Sequence, residues 1–391
     1  MPESIHSDFG DRLRIHRNAA RLTRKTLAQR AGISFSYLDK LELGERKPTA
    51  ATVDLLAREL GIDPDKLDGD TARRKNKVHD QIPALRTVLD FYDDPDDGPV
   101  RPLAILRSEV IECTALRIDS RYGHLIDKLL GLIPELSRAR QQVPERQREQ
   151  VEFLLAHAYR SADGVAYKHG YIDLSGRILE VMRRPVEAAN DPLLQASAAY
   201  VRTEIYFANK NLSIAQSRLE TAIGTMPKAT SELATAIRGS LHMRAAVVAA
   251  RAGEPSDADL HMDYARRYAE NTTEGIYYGT AFGPSSVHTH HVATAIELDE
   301  FDKAVQLARS WTASEDIPAE RLSHYHIDLA VAYLWTGNQV AAVQAIQEAK
   351  AVAPEHVKEH PRVKEVLTRL ARGRRSLDGE LLTLARWAGI V

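Results

Sequence analysis

The chain has 391 residues, a formal net charge of -2 at pH 7 and a single cysteine, Cys113. This length allows two or three domains with a large core. The near-neutral net charge excludes a protein that binds nucleic acid through a basic surface along its whole length. One cysteine excludes an internal disulfide and favours a reducing cytoplasm, and we expect neither a signal peptide nor a membrane span, because no apolar run approaches about 20 residues.

Basic residues are concentrated at the amino terminus. Residues 1–77 contain 16 Lys and Arg against 12 Asp and Glu, so the rest of the chain is acidic. A locally basic module on an acidic body is the charge distribution expected of a DNA reader with a separate control domain.

The stretch 23–48 has the pattern of two short helices joined by a tight turn. Thr23 and Ser34 are candidate N-caps, and Gly32 between them suits a turn that needs a positive φ. Leu38 and Leu41 lie three residues apart and form the inner face of the second helix. Small polar residues at the start of that helix fit the width of a DNA major groove, so the sequence predicts a helix-turn-helix.

Residues 9–67 resemble the XRE family of lambda-repressor-like DNA-binding domains. The resemblance is carried by Leu27-Ala28, Ala31-Gly32-Ile33-Ser34, Tyr37-Leu38, Leu41-Glu42, Gly44, Pro48 and Leu60-Gly61. It implies a five-helix domain. Arg24 departs from the family pattern, because many members carry at this position a glutamine that supports the recognition helix. An arginine at this position could reach a DNA phosphate instead.

Five residues at the start of the second helix form the predicted reading surface. Ser34 presents helix-start amides to a phosphate, while Phe35 and Ser36 lie nearest the base edges. Lys40 reads guanine or binds a phosphate. Asp39 accepts a hydrogen bond from cytosine or orients Lys40.

Further side chains are predicted to contact the DNA backbone. We place Arg24, Arg46 and Lys47 on phosphates. Tyr37 either fills the edge of the core or donates its hydroxyl to a phosphate. These contacts would position the domain without reading sequence.

The spacing of Ile82, Leu85 and Leu89 predicts a helix at 78–92. Beyond Pro102 the chain is almost entirely helical by pattern, and short helices recur in pairs. In the clearest pair, 324–354, the residues Leu329, Tyr333, Gly337 and Ala342 fall where a tetratricopeptide repeat places its apolar, small and breaker residues. Such pairs stack into a curved solenoid with a concave inner surface.

Small residues recur in the second helix of each pair, where two helices must approach closely. Ala215, Ala258, Ala304 and Ala342 are 43, 46 and 38 residues apart, which is longer than the roughly 34 residues of the regular repeat. The array is therefore predicted to be degenerate. We predict an all-α chain with a DNA-binding domain at 1–70, a linker at 71–82 and a degenerate tetratricopeptide-like effector and dimerisation domain at 83–391.

As a whole, the chain resembles the actinobacterial XRE-type regulators that carry a tetratricopeptide-like carboxy-terminal domain. The resemblance extends through ALRTVLDFYDDPDDGPVRPL, TAFGPSSVHTHHVATAIELDEFDKAVQLA and HIDLAVAYLWTGNQVAAVQAIQEAKAVAPEHV. It implies a one-component transcription factor whose body senses a small molecule or peptide. We expect a cytoplasmic homodimer on a pseudo-palindromic double-stranded DNA operator, because one such domain reads few base pairs. The alternative is a docking scaffold for a partner protein, with DNA binding secondary or autoregulatory.

The repeat register predicts which residues face the concave surface. Phe282 comes from the stretch GIYYGTAFGPSS, which is either a loop packed by its own aromatics or one that reaches over the concave face and lines a pocket. The predicted ligand-facing residues are Ser197, Tyr200, Glu204, Phe207, Ser240, Met243, Phe282, Ser286, Thr289 and His324.

Catalytic motifs and cofactor fingerprints are absent from the sequence. There is no GxSxG, phosphate loop, dinucleotide fingerprint or paired-cysteine motif, so we expect no enzyme and no cofactor. His288 and His291 could share a metal across one helical turn, and His324 and His326 add two more imidazoles. Since no carboxylate or thiolate lies close in sequence, we expect surface or pocket histidines and no metal.

Overall fold

The computed structural model describes residues 5–62, 64–68, 77–309, 311–372 and 379–390, and these are almost entirely helical. Within those ranges no helix combines the length and apolar character needed to cross a bilayer. The predicted all-α class is confirmed.

The amino-terminal domain is a small bundle around a leucine-rich core. Leu13, Leu27, Leu38, Leu41 and Leu56 have no exposed surface. The helices are α1 (Ile5–Ala19), α2 (Arg24–Arg30), α3 (Phe35–Glu42), α4 (Ala50–Leu60) and the short α5 (Asp65–Asp68).

Local signals in the sequence set the ends of these helices. Thr23 Oγ1 accepts a hydrogen bond from the Thr26 amide at 3.1 Å, and Ser34 Oγ accepts one from the Tyr37 amide at 3.2 Å. Gly32 has φ +62°, which a side chain at this turn would resist. The predicted caps and turn are confirmed, and α3 starts at Phe35 as a result.

The helical body begins earlier than the predicted boundary at residue 83. Its first helix starts at Lys77, inside the stretch predicted as linker 71–82, because Val78 and Ile82 are buried in the core of the body. Residues 71–76 of that stretch lie outside the described part of the chain. The first half of the body consists of α6 (Lys77–Asp90), α7 (Leu103–Ile118), α8 (Tyr122–Gln142), α9 (Glu145–Lys168), α10 (Ile172–Ala188), α11 (Pro192–Ala208), α12 (Leu212–Thr225), α13 (Glu232–Ala252) and α14 (Pro255–Ala269).

A short antiparallel hairpin interrupts the helices. Strands β1 (Gly275–Tyr277) and β2 (Thr280–Phe282) pair with Gly275 opposite Phe282. The Phe282 ring lies so close to α13 that a Cβ on Gly239 would be 2.1 Å from its Cζ. This contact fixes the hairpin against the body.

A second core follows the hairpin. It is centred on residues such as Val292, Ile327, Ala330, Ile346 and Leu367. Its helices are α15 (Pro284–Glu297), α16 (Phe301–Arg309), α17 (Ala319–Trp335), α18 (Gln339–Val352), α19 (Pro354–Glu359), α20 (Pro361–Arg372) and α21 (Gly379–Trp387).

Successive helices pack in pairs, most closely α9 with α10, α13 with α14 and α17 with α18. Ala215, Ala258, Ala304 and Ala342 are fully buried, as predicted for residues at close helix crossings. The tetratricopeptide class of these pairs stays a prediction.

The amino-terminal domain rests on the body through α4 and α5. Lys364 on α20 is almost fully buried and forms an ion pair with Asp54 on α4. Lys66 on α5 pairs with Asp173 on α10, while Lys210 lies 3.9 Å from Glu59. These contacts place α4 against the body, while residues 34–36 at the start of α3 are exposed.

Candidate DNA-reading surface and central cavity

The first turn of α3 is open to solvent. The Phe35 side chain is 53% exposed, and Ser34, Ser36 and Lys40 are exposed as well. An exposed phenyl ring is unusual for a small domain, and here it stands beside a hydroxyl and an ammonium group. These groups suit a thymine methyl and base edges in a major groove.

A network of ion pairs braces α3 against the two helices before it. Glu42, at the end of α3, is buried and receives Arg17 Nε at 2.5 Å and Arg24 Nε at 2.8 Å. Arg24 Nη1 also contacts Asp39 Oδ1 at 2.6 Å. The hydrogen bond to Glu42, followed by its charge, raises the pKa of Arg24. Arg24 thus connects the start of α2 to the second half of α3.

This network changes the interpretation of two predicted DNA contacts. Arg24 is engaged by two carboxylates of α3, so it braces this helix. Asp39 pairs with Arg24 rather than with Lys40. Sequence reasoning missed these pairs because the partners lie 15 and 18 residues away on another helix.

The remaining predicted DNA contacts lie around the end of α3 and the start of α4. The Tyr37 hydroxyl is 3.4 Å from Thr52 Oγ1, and the Arg46 guanidinium lies 5.5 Å from the centre of the Tyr37 ring. Arg46 and Lys47 are exposed. Tyr37 therefore covers the edge of the core while the two basic side chains remain accessible to a phosphate.

A cavity of about 520 Å³ lies between the amino-terminal domain and the body. On one side α4 contributes Asp54, Arg58 and Glu59; on the other, α9, α11, α13, α15 and α17 supply most of the wall. This volume is in the range of sites that enclose a small organic ligand.

Arg160 on α9 is the central cation of this cavity. Its guanidinium donates to Ser197 Oγ at 2.7 Å, to the Tyr278 carbonyl at 2.5 Å and to Thr280 Oγ1. All three acceptors are neutral. Burial, reinforced by the charge of Arg117, lowers the pKa of Arg160 to about 9, so its cationic form is poorly compensated.

Two more arginines line the cavity without a carboxylate in ion-pair contact. Burial would lower the pKa of Arg321, yet the charges of Tyr200 and Glu320 raise it. Arg117 Nη2 donates to the Gly279 carbonyl at 2.5 Å, and Arg321 Nη2 donates to the Tyr200 hydroxyl at 3.1 Å. The Nε atom of each is buried without a hydrogen-bond partner among the described residues. Within that part of the chain, Arg117, Arg160 and Arg321 have no carboxylate oxygen within 4.0 Å.

The neighbouring titratable groups respond to this positive charge. Burial would raise the pKa of Tyr200, yet Arg244 and Arg321 lower it below its usual value. The Arg244 guanidinium lies 4.1 Å from the centre of the Tyr200 ring. Burial, followed by the charges of Arg321 and Arg244, holds the pKa of His290 well below its ordinary value. Arg244 and Arg321 therefore act on both Tyr200 and His290, while carboxylates such as Glu204 and Glu320 line other parts of the cavity.

Half of the residues predicted to face a ligand line this cavity. They are Tyr200, Glu204, Phe207, Thr289 and His324. They come from α11, α15 and α17.

The other five predicted ligand residues do not line it. Ser197 accepts from Arg160 behind the cavity wall, and Ser240 Oγ donates to the Ala236 carbonyl at 2.8 Å within its own helix. Met243 and Phe282 are fully buried in the core, and Ser286 is bound to Glu274. The register failed here because the hairpin, rather than a ligand, occupies the space beside α13.

The hairpin combines the two alternatives considered for GIYYGTAFGPSS. Phe282 packs into the core, whereas Gly279, Thr280 and Ala281 line the cavity. The turn carbonyls of Tyr278 and Gly279 receive Arg160 and Arg117. The hairpin thus orients Arg117 and Arg160, which the sequence analysis did not identify as site residues. The sequence contained one signal for Arg160, since it is an arginine on the apolar helix face of FLLAHAYRSADGVAY.

His288 and His291, which could share a metal according to their spacing in the sequence, each contact a different neighbour. His288 stacks on Trp311 with ring centres 4.6 Å apart, and His291 receives Arg266 at 3.0 Å. His324 instead lies beside His356 and His360.

Comparison with known proteins agrees with the geometry of the first domain. Residues 8–68 match the family model of a helix-turn-helix domain. The chain carries an amino-terminal helix-turn-helix domain. Over 227 residues it is 28% identical to a protein of Cereibacter sphaeroides named propionyl-CoA carboxylase regulator, and the match covers 57% of this chain and 45% of that protein. The matched part therefore spans less than half the length of that curated relative.

Proposed function

We propose that the chain is a sequence-specific DNA-binding transcriptional regulator whose activity is set by a small organic anion bound in the central cavity. The observation that carries this proposal is the position of α4. This helix of the helix-turn-helix domain forms one wall of a cavity whose opposite wall holds buried arginines without carboxylate partners. The proposal assigns no reaction to the chain.

The buried arginines of the cavity favour an anion as its ligand. A buried guanidinium keeps its charge at a high cost unless a counter-charge and hydrogen bonds compensate it. Arg117 and Arg321 each retain an unused Nε donor, and Arg160 is compensated only by neutral oxygens. A carboxylate or phosphate group would accept bidentate hydrogen bonds from such arginines.

The aromatic residues define the second part of the ligand site. Phe207 and Tyr200 line the cavity and are themselves covered by Arg251 and Arg244. We therefore propose a ligand with an anionic head and a small apolar part, as in short organic acids.

Ligand binding would act on DNA binding through α4. A ligand that contacts both Arg58 and the arginines of the body favours the docked position of the helix-turn-helix domain over other positions. The coupling is reciprocal, so operator DNA would change ligand affinity by the same factor. We further propose an XRE-type domain, a tetratricopeptide-like body and a homodimer that matches half-sites about one helical turn apart.

The test is an electrophoretic mobility shift assay with the chain's own upstream DNA. We expect a shift that a heat-stable, dialysable fraction of cell extract changes, and we expect Arg160→Met to shift DNA normally but to ignore that fraction. Arg218→Met, on the exposed face of α12, is the matched control and should behave like the parent.

Two outcomes would contradict the proposal. Release of DNA only by a protein fraction would favour the docking scaffold, with the repeats binding a partner protein. Equal binding to the upstream region and to random DNA would remove the regulator assignment itself.

A further inference from the structure

Three imidazoles from distant parts of the sequence meet beside the central cavity. His324 lies on α17, His356 on α19 and His360 directly after α19. One ring nitrogen from each lies within 4.8 Å of the other two. His324 and His360 also line the cavity, so the cluster opens onto it.

Ser323 orients the ring of His356. Ser323 Oγ lies 2.9 Å from the Glu320 carbonyl and 2.9 Å from His356 Nδ1, and either Ser323 or His356 can supply the hydrogen of the second contact. The Nε2 atom of His356 is buried and has no hydrogen-bond partner among the described residues. In the tautomer with the hydrogen on Nδ1, the lone pair of Nε2 is free, which is the usual state of a metal-binding histidine.

The other two rings also offer lone pairs. His324 Nε2 lies 2.7 Å from Lys168 Nζ, an ammonium that can only donate, so this nitrogen is an acceptor. His360 Nδ1 is buried and unpartnered within the described chain. Each ring therefore has a nitrogen that can bind a metal ion once Lys168 leaves His324.

We propose that His324, His356 and His360 bind one zinc ion. Three neutral imidazoles are a recurrent zinc donor set, which leaves one coordination position open. Nitrogen ligands at 2.0 to 2.1 Å in a tetrahedral site lie about 3.4 Å apart, so the rings have to approach by about 1.4 Å at most from their present spacing.

Lys168 is the competitor for this site. Its ammonium occupies the lone pair of His324 Nε2, and it also contacts Glu320 Oε1 at 2.7 Å. Zinc binding requires Lys168 to leave His324 and to remain with Glu320, which itself lies 4.0 Å from His324 Nε2. Removing the ammonium should therefore strengthen zinc binding.

The location gives the ion a structural consequence. His360 immediately precedes α20, whose Lys364 holds Asp54 of the helix-turn-helix domain. An ion shared by α17 and the segment 356–360 would fix the corner from which α20 projects. Zinc would then stabilise the contact between α20 and α4 independently of any organic ligand.

The experiment measures zinc bound by the untagged full-length chain. After equilibration with zinc and removal of the excess, we expect one zinc per chain by atomic absorption, and cobalt substitution should give the visible spectrum of a tetrahedral site. His356→Asn retains a donor for Ser323 and should weaken zinc binding about 100-fold or more, and His324→Ala should do the same. Lys168→Met should bind zinc about tenfold more tightly, because a competing positive charge is removed.

The matched control is the double variant His288→Ala and His291→Ala, which removes two histidines outside the cluster. It should bind like the parent. Circular dichroism identifies any variant that fails to fold, and Lys168→Met keeps all three ligands if the histidine variants do fail. The proposal is overturned if the parent stays metal-free, if zinc is lost only with His288 and His291, or if Lys168→Met has no effect on affinity.

Discussion

Buried arginines serve different purposes in the two halves of the molecule. In the helix-turn-helix domain, Arg17 lies against the buried carboxylate of Glu42, so each charge is compensated within the fold. In the central cavity, Arg160 is held by neutral oxygens, and Arg117 and Arg321 retain unused donors. The paired arginine stabilises an element, whereas the three arginines without a carboxylate carry the proposed anion site.

The body also contains paired arginines, which allows a comparison at the same cavity. Arg362 contacts Asp328 and Glu297, each at 2.5 Å. Burial would raise the pKa of Glu297, but Arg362 and Arg251 together hold it at about 2. The distinction is therefore one of partner chemistry rather than of domain, and variants can test it.

The largest effect is expected for Glu42→Ala. This change leaves Arg17 buried without its carboxylate and should destabilise α2 and α3 by about 3 to 5 kcal/mol, with loss of operator binding. Native-state hydrogen exchange of the amides of α3 measures the local free energy. Glu45→Ala, on the exposed loop after α3, should change it by less than about 0.5 kcal/mol. Similar exchange in both variants would show that the network does not brace α3.

A second comparison sets Arg362→Met against Arg160→Met. Loss of Arg362 leaves Asp328 buried without its cation and should cost about 3 kcal/mol. Loss of Arg160 should cost about 1 to 2 kcal/mol, because removal of a poorly compensated charge offsets the lost hydrogen bonds. The midpoints of thermal unfolding in ligand-free buffer measure both. The reverse order of stability would refute the classification of Arg160 as a ligand-binding cation.

Acid should destabilise the body more than the helix-turn-helix domain. Burial, with the charges of Arg160 and Arg117, lowers the pKa of His157 to about 3; burial, with His261 and Arg238, lowers that of His242 to about 4. The unfolded chain binds these protons near pH 6.5, so the stability present above pH 6.5 is lost as pH falls toward the folded values. At pH 5 the loss is roughly 2 kcal/mol for each histidine.

Thermal unfolding measured from pH 7 to pH 5 checks this dependence. His157→Phe should reduce the dependence of the unfolding midpoint of the body on pH. The reason is that phenylalanine does not titrate, whereas His157 has to lose its proton when it is buried. His124→Phe, at an exposed position of α8, should leave the slope unchanged. An unaltered slope in His157→Phe would contradict the assignment.

The smallest expected effect is at the reading surface. Lys40→Ala should weaken binding to the cognate operator by about 1 to 3 kcal/mol and relax one base position. Lys47→Ala should weaken binding to all DNA sequences by the same factor. It should also reduce the slope of log K against log salt concentration by about 1. Binding titrations over a set of single-base operator variants distinguish the two. Unchanged discrimination in Lys40→Ala would remove it from the base-reading set.

The predictable part of this protein is the part set by neighbours in sequence. The caps at Thr23 and Ser34, the turn at Gly32 and the buried alanines of the helix pairs depend on contacts within a few residues or on helical periodicity, and all were confirmed. The domain boundary at residue 83 falls inside α6 (Lys77–Asp90), although the spacing of Ile82, Leu85 and Leu89 already indicated a helix from residue 78.

The candidate sites show the same division. Repeat register correctly placed Tyr200, Glu204 and Phe207 at the cavity, but it also placed Ser240 and Met243 there. Register gives the face of a helix and cannot tell whether another segment covers that face. The hairpin that covers α13 comes from residues 275–282, and its carbonyls orient arginines more than 100 residues earlier.

The amino-acid sequence by itself determined the helix-turn-helix, because its caps, turn and apolar spacing act over short distances. Only the tertiary structure decided which charges are paired, since Arg24 and Asp39, Arg362 and Asp328, and His324 and His356 lie on different helices. The electrostatic energy of a side chain depends on what lies within a few ångströms of it in space. That neighbourhood is fixed only when the helices pack.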